Sequence, residues 1–203
     1  MSNMGHDSLL LIFVKNPIPG KVKTRLAKTI GDVKALEIYH QLLAHTHQVT
    51  QKLSVDKAVL YSDEIIEDDI WETKKYKKYV QEGSDLGKRM LNAFKSGFSK
   101  GYRKIIIIGS DCFDITAKII NEAFDALPQN NFVIGPTQDG GYYLLGMATL
   151  YSSIFKNKKW SSDEVLHDTL VDIRNMNGTY KLLKELNDID TEADLPAIRK
   201  VMR

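Results

Sequence analysis

The chain has 203 residues, 43% of them hydrophobic, which is enough for one substantial domain and short for two. Its 28 Lys and Arg against 26 Asp and Glu leave a net charge of +2, which gives no reason to expect nucleic acid, so the expected partner is a small molecule. The single cysteine excludes an intramolecular disulfide framework and a cysteine-rich zinc site. The opening, Met1 to Ser8, is polar and is expected to be flexible, and no run approaches the ~20 apolar residues of a membrane span, so the cytoplasm is the expected location.

Leu9 to Val14 is an apolar run of strand length that stops at Lys15-Asn16-Pro17-Ile18-Pro19-Gly20, where two prolines and a glycine forbid regular structure. The loop runs on through Lys21, Lys23, Arg25 and Lys28, so residues 15 to 28 hold five cations and no acid. A charge run is commonly a solvated turn. At the first strand-to-loop junction of an α/β chain it is also a frequent phosphate site, where backbone N–H groups and cations meet anionic oxygen.

From Asp32 to Leu53 apolar residues recur with the spacing of one helical face, predicting a covering helix. His40, His45 and His47 fall in it without the i, i+4 spacing of a helical zinc motif, so packing or solvation is expected of them. Ala58 to Tyr61 predicts a second strand. Between Asp63 and Glu72 six acids precede the lysines at 74, 75, 77 and 78, a pattern expected of solvated connecting structure without chemistry. Tyr79-Val80-Gln81 predicts a short third strand, after which Ser84 or Asp85 can cap a helix. Gly83 and Gly87 bracket that helix start and would let a flat ligand approach the backbone.

The stretch Ile105 to Ile108 is four consecutive β-branched residues with no polar alternation, the pattern of a strand buried on both faces of a parallel sheet. It ends in Gly109-Ser110-Asp111, delivering a carboxylate to the edge where open α/β sheets bind ligands. Asp111 and Asp114 could instead cap the helix predicted from Thr116 to Leu127. Cys112, with no partnered histidine signature, is expected to be a small apolar filler. Asn131 to Pro136 predicts another buried strand. Asp139-Gly140-Gly141 predicts a tight turn before the apolar strand Tyr142 to Met147; Asp139 either shapes that turn or contacts substrate.

Trp160 to Glu164 suggests a helix start capped by Ser161 or Ser162, and Tyr180 to Leu186 a last strand. Beyond it, Asp188 and Asp190 precede a capping box formed by Thr191 and Asp194. Strand and helix signals alternate throughout, predicting one three-layer α/β/α sandwich around a mostly parallel, Rossmann-like sheet. Neither a G-x-x-x-x-G-K-[ST] loop nor a G-x-G-x-x-G fingerprint is present, which excludes the P-loop and dinucleotide schemes.

Six segments carry a family resemblance: Phe13 to Ala27, Gln81 to Met90, Ile108 to Asp114, Gly135 to Gly146, Trp160 to Leu166 and Asp188 to Leu195. In that order they resemble the glycosyltransferase-A-like family found with radical-SAM and selenocysteine-domain proteins, often labelled arsenosugar-biosynthesis glycosyltransferases. More distantly the chain is similar to the nucleotidyltransferases of molybdenum-cofactor and phospholactate metabolism. Phe113 stands where the family usually has proline and Ser162 where it usually has threonine.

The resemblance implies one nucleotide-diphospho-sugar transferase-like domain over residues 9–203. It implies phosphate binding by Lys15, Gly20, Lys21, Lys23, Arg25 and Lys28, with Gln81, Gly83 and Leu86 near the base. It further implies Mg²⁺ or Mn²⁺ held by Asp111 and Asp190. Arg25, Asp111 and Asp139 are the expected catalytic residues, with Gly140, Gly141 and Trp160 contacting donor or acceptor. The expected activity is metal-dependent glycosyl transfer from a nucleotide-sugar to a small-molecule acceptor. Nucleotidyl transfer from a nucleoside triphosphate, with release of pyrophosphate, is the alternative, and a non-catalytic nucleotide-binding module a second one.

Overall fold

A computed structural model describes residues 7–195. Seven strands form one sheet in the order β3-β2-β1-β4-β6-β5-β7. The strands are β1 (Ser8–Val14), β2 (Asp56–Tyr61), β3 (Lys77–Val80), β4 (Lys104–Ile108), β5 (Phe132–Pro136), β6 (Tyr142–Met147) and β7 (Tyr180–Leu182). Every pairing is parallel except those of β6, which runs against both β4 and β5. The four isoleucines of β4 are buried on both faces, as their unbroken β-branched run predicts.

Helices α2 (Asp32–Thr50) and α4 (Ala117–Ala126) cover one face, packing Tyr39, Leu43, Ile120 and Phe124 against Leu10, Ile12, Ile106 and Ile108. On the other face α3 (Leu86–Ser99) and α5 (Val165–Asn175) pack Met90, Phe94 and Ile173 against the residues of opposite parity, Leu9, Leu11, Ile105 and Ile107. The short α1 (Thr24–Ile30) closes a third cluster in which Leu26 meets Leu42, Phe113 and Ile189. The molecule is therefore the expected three-layer sandwich.

Several boundaries and caps differ from expectation. Ser8, placed with the flexible opening, is buried in β1, while residues 1–6 lie outside the described chain. The last strand stops at Leu182, because Leu183 and Leu186 turn into the core cluster that lies under α2 and α4. Neither Ser161 nor Ser162 caps α5, which starts at Val165 without a side-chain cap; Ser162 Oγ instead donates to the carbonyl of Lys159. Asp85 does cap α3, accepting from Lys88 N at 2.9 Å, and the Thr191–Asp194 capping box forms. The cap of α4 is Thr116, which leaves Asp114 in the loop.

The segment expected to be solvated, with its acids between Asp63 and Glu72 and the lysines at 74, 75, 77 and 78, does expose most of those charges, but it also carries two buried rings and one ion pair withdrawn from solvent. Trp71 is 1% exposed, packed edge-on against Tyr76 at 5.1 Å and His47 at 5.5 Å. Lys78, from β3, reaches back to donate to the carbonyls of Ile66 and Glu67, each at 2.7 Å, and to Asp69 at 2.9 Å. A cation that satisfies several carbonyls folds a charged loop onto the domain, and sign alternation in the sequence does not report this. Among the described residues no helix is long and apolar enough to cross a membrane.

Candidate active site

A cleft of about 700 Å³ opens where β1 and β4 end and β6 begins. Its volume falls in the range typical of small-molecule sites. Because β6 is antiparallel to β4, the turn between β5 and β6 comes to the same edge as the loops that leave β1 and β4.

The loop after β1 is held by a buried asparagine. Asn16 is 3% exposed; its Nδ2 donates to Glu64 O at 2.8 Å and its Oδ1 accepts from Asp63 N at 3.0 Å and Ser62 Oγ at 3.3 Å. Tyr39 of α2 clamps the neighbouring residue, accepting from Lys15 N at 2.8 Å and donating to Lys15 O at 3.0 Å, with Ser110 Oγ 3.3 Å away. Burial, followed by the nearby charge of Asp111, pushes the Tyr39 phenol well above its ordinary range, so it stays neutral. Neither residue was anticipated as part of the site; an Asn-Pro pair directly after a strand is the one signal that could have raised Asn16, and Tyr39 is hidden in an apolar helical stripe.

Lys23 sits at the centre. Its backbone is left-handed, φ 47° and ψ 43°, and its ammonium lies 2.9 Å from Asp111 Oδ1 and 3.2 Å from Asp190 Oδ1. Burial works to lower the Lys23 pKa, but the two carboxylates outweigh it and the net shift is upward. Arg25 Nη1 approaches Asp190 Oδ2 at 3.4 Å. Asp190 reaches this point because the strand-like segment 186–190 returns along the edge: Ile189 N donates to Asp111 O at 3.0 Å, and Cys112 and Asp188 form an antiparallel bridge. Phe113 fills the space beside His45, ring centroids 4.6 Å apart, so the loop after Asp111 is fixed without a proline.

Asp188 is a further acid that the sequence reading mentions without a role. Its Oδ1 is buried without a hydrogen-bond partner, and desolvation, with repulsion from Asp111, pushes the carboxyl up to about 7 against the opposing pull of Lys23. Beside it the Cys112 thiol is driven up to about 12 by burial, which fits the expected filler and not a nucleophile.

On the opposite wall Asp139 lies in a tight turn. Its Oδ1 accepts from Thr137 Oγ1 at 2.6 Å and Gly141 N at 3.3 Å, while its other oxygen makes no such bond. Both readings of Asp139 are therefore compatible: it shapes the turn and still lines the cleft. Gly140 is required by the fold, with φ 83° and a hypothetical Cβ colliding with the carbonyl of Asp163. At Gly87 a Cβ would strike the Trp160 indole, so the flat group lying on this helix start is a side chain of the protein itself. Trp160 thereby forms the wall facing Leu86 and Met90.

The cleft brings together Lys15, Lys23, Arg25, Gln81, Leu86, Asp111, Asp139, Gly141, Trp160 and Asp190. Gly20, Lys21, Lys28, Gly83 and Gly140 are not in its lining. The Gln81 side chain is already committed, its Nε2 donating to Leu60 O at 2.8 Å and Val14 O at 3.1 Å and its Oε1 accepting from Arg89 Nη1 at 3.4 Å, while its backbone N–H donates to Tyr61 O at 2.8 Å. Among the described residues no three His, Cys, Asp or Glu side chains are arranged to hold a metal ion. Two carboxylates facing the cleft nevertheless suit Mg²⁺ or Mn²⁺, which commonly take one or two from the protein and fill the remaining positions with water and phosphate oxygens.

The whole chain is similar to known structures. A "putative nucleotide-diphospho-sugar transferase" from Desulfovibrio desulfuricans G20 is 31% identical, with 98% of this chain and 88% of that one covered at a TM-score of 0.88. The 4-diphosphocytidyl-2C-methyl-D-erythritol synthase of Anaerococcus prevotii shares the fold at 13% identity and a TM-score of 0.64, covering 98% of both chains. The inositol-1-phosphate CTP transferase of T. maritima does so at 15% identity and a TM-score of 0.61, covering 96% of this chain and 94% of that one. No curated protein matches in sequence. Residues 43–162 match the model of a family described as "Uncharacterized protein conserved in bacteria", DUF2064. With that match and the 31% identity over almost its full length, the chain belongs to the DUF2064 family.

Proposed function

We propose that this protein is a metal-dependent transferase of the cytoplasm that uses a nucleotide-activated donor, and specifically a glycosyltransferase acting on a nucleotide-diphospho-sugar. The observation that carries the reading is the convergence on one cleft of a cationic loop, Lys15, Lys23 and Arg25, with the paired carboxylates Asp111 and Asp190. The resemblance of its six motifs to glycosyltransferase-A-like proteins often labelled arsenosugar-biosynthesis glycosyltransferases supports the same reading.

Lys15 and Arg25 are exposed at the cleft and bind the donor phosphates, while the apolar Leu86 lies against the base. Mg²⁺ or Mn²⁺ on Asp111 and Asp190 would supply Lewis-acid stabilisation of the diphosphate. Trp160 offers an aromatic face to the sugar. Through its unengaged oxygen Asp139 takes the proton of the acceptor hydroxyl as the new bond forms from acceptor oxygen to anomeric carbon; the anomeric C–O bond breaks and the nucleoside diphosphate leaves. Lys15 and Arg25 neutralise the charge that develops on the departing phosphate.

Nucleotidyl transfer from a triphosphate is the second reading, favoured by the five cations of residues 15–28. The CTP-using neighbours supply the same fold. Product analysis decides: a nucleoside diphosphate marks glycosyl transfer and pyrophosphate marks nucleotidyl transfer. Tight donor binding with neither product would leave a binding module. Asp111→Ala is expected to abolish metal-dependent donor binding with the fold intact, whereas Asp114→Ala costs only stability; equal loss of binding in both would overturn the assignment of Asp111.

A further inference from the structure

Lys23 is unusual in how completely it is withdrawn from solvent. Its side chain is 4% exposed, while the carboxylates of Asp111 and Asp190 that it bridges are 41% and 36% exposed. The ammonium thus lies behind the pair and between its oxygens, on a backbone in the left-handed region that a non-glycine residue rarely adopts. A lysine held there does for two neighbouring carboxylates what a bound cation does: it relieves their mutual repulsion.

We infer that Lys23 is a resident counter-ion that keeps the Asp111–Asp190 pair closed to divalent cations in the free protein, and that donor phosphate draws it off. The inference rests on the proposed function and adds an order to it. In the free protein the Lys23 ammonium sits between the two carboxylates and Arg25 touches one of them, which leaves little attraction for a divalent ion that must also approach a cation. A diphosphate entering beside Lys15 and Arg25 brings further negative charge and gives Lys23 an alternative partner within the same cleft. The pair then opens to the divalent ion only with the donor in place. Arg25 cannot substitute for Lys23 in the closed state: it is an exposed side chain touching only Asp190, at 3.4 Å.

The test uses Mn²⁺ alone, titrated into nucleotide-free protein and followed by the electron paramagnetic resonance of the free ion. Lys23→Met is expected to bind Mn²⁺ at least about thirtyfold more tightly than wild type, the lower limit set by the Coulomb relief between an ammonium and a divalent ion ~4 Å apart in water, since the ammonium is withdrawn from solvent. Lys23→Arg, which keeps the charge, is expected to stay at the wild-type affinity. Where Lys23→Met is too unstable to titrate, Lys23→Gln and the rise of the thermal midpoint with added Mn²⁺ give the same comparison, larger in the neutral variant than in wild type. Lys23→Met binding no tighter than wild type, with Asp111→Asn still abolishing the binding, overturns the resident counter-ion and leaves the metal assignment standing. Unchanged Mn²⁺ binding in a Lys23→Met, Asp111→Asn double variant overturns the metal assignment itself, and the counter-ion inference with it.

Discussion

Replacing Asn16 with alanine isolates the anchor of the cationic loop. The side chain is almost fully buried and makes three hydrogen bonds, to Glu64 O, Asp63 N and Ser62 Oγ, all in the connection that follows β2. A typical internal hydrogen bond contributes about 1 kcal/mol net, and a donor or acceptor left unpaired in the interior costs more. Asp63 and Glu64 are exposed, so water can replace part of what is lost there, and the total should stay at about 2–3 kcal/mol. For a domain of this size that corresponds to a fall in thermal midpoint of roughly 5–10 °C. Urea unfolding at 25 °C measures the loss directly, and the same samples titrated with a donor nucleotide report whether freeing the loop weakens phosphate binding, which is expected. A cost under ~0.5 kcal/mol with donor affinity unchanged would refute the idea that Asn16 positions the loop.

Three other perturbations test the scaffold. Lys78→Met should cost about 2–3 kcal/mol by urea unfolding, because it removes the counter-ion of Asp69, which keeps only Tyr61 Oη and Trp71 N, and the donor shared by two carbonyls; a cost typical of a surface lysine would place Lys78 outside the network. Gly140→Ala forces a Cβ into the carbonyl of Asp163 at positive φ and should lower stability by more than ~2 kcal/mol, with the lining around Asp139 and Trp160 disturbed; an unchanged thermal midpoint would contradict it. His47 is held below its ordinary pKa by burial against Trp71 and Tyr76, so the unfolded chain binds its proton first. Its contribution is present above about pH 6.5 and is lost as the pH falls through the depressed folded value. His47→Gln should flatten the pH dependence of the urea midpoint in that acid range, and identical slopes would remove His47 as a cause.

The fold was legible because its strands advertise themselves. Four β-branched residues ending in Gly109 can be buried on two faces or nowhere, and the alternating helix signals leave a parallel sheet as the arrangement that satisfies them. Asp111 was legible for the same reason, since a strand end fixes where the next residue goes. What escaped depended on partners distant in sequence. Asp188 gains its environment from Asp111, Cys112 and Lys23, none of them nearby in the chain. Trp71 lies among acids that advertise solvent, and its burial follows from the approach of His47 on α2, which no local pattern encodes. Gln81 was legible as a residue near the cleft but not as one whose amide already ties β1 to β2.

The reversed direction of β6 separates two evolutionary dials. The wall proposed to hold phosphate is built from a loop strapped to α2 and to the β2–β3 connection, so a length change there would disturb both at once. The wall proposed to meet the acceptor is the tip of an antiparallel hairpin, residues 137–141, closed by bonds between Thr137 and Gly141 and held at Gly140, whose carbonyl accepts from Leu166 N at 2.9 Å. A hairpin tip can be lengthened or rewritten while the ladder behind it keeps its register. Outside the constrained Gly140, this tip and the Trp160 wall beside it can therefore change shape while the strapped loop stays as it is.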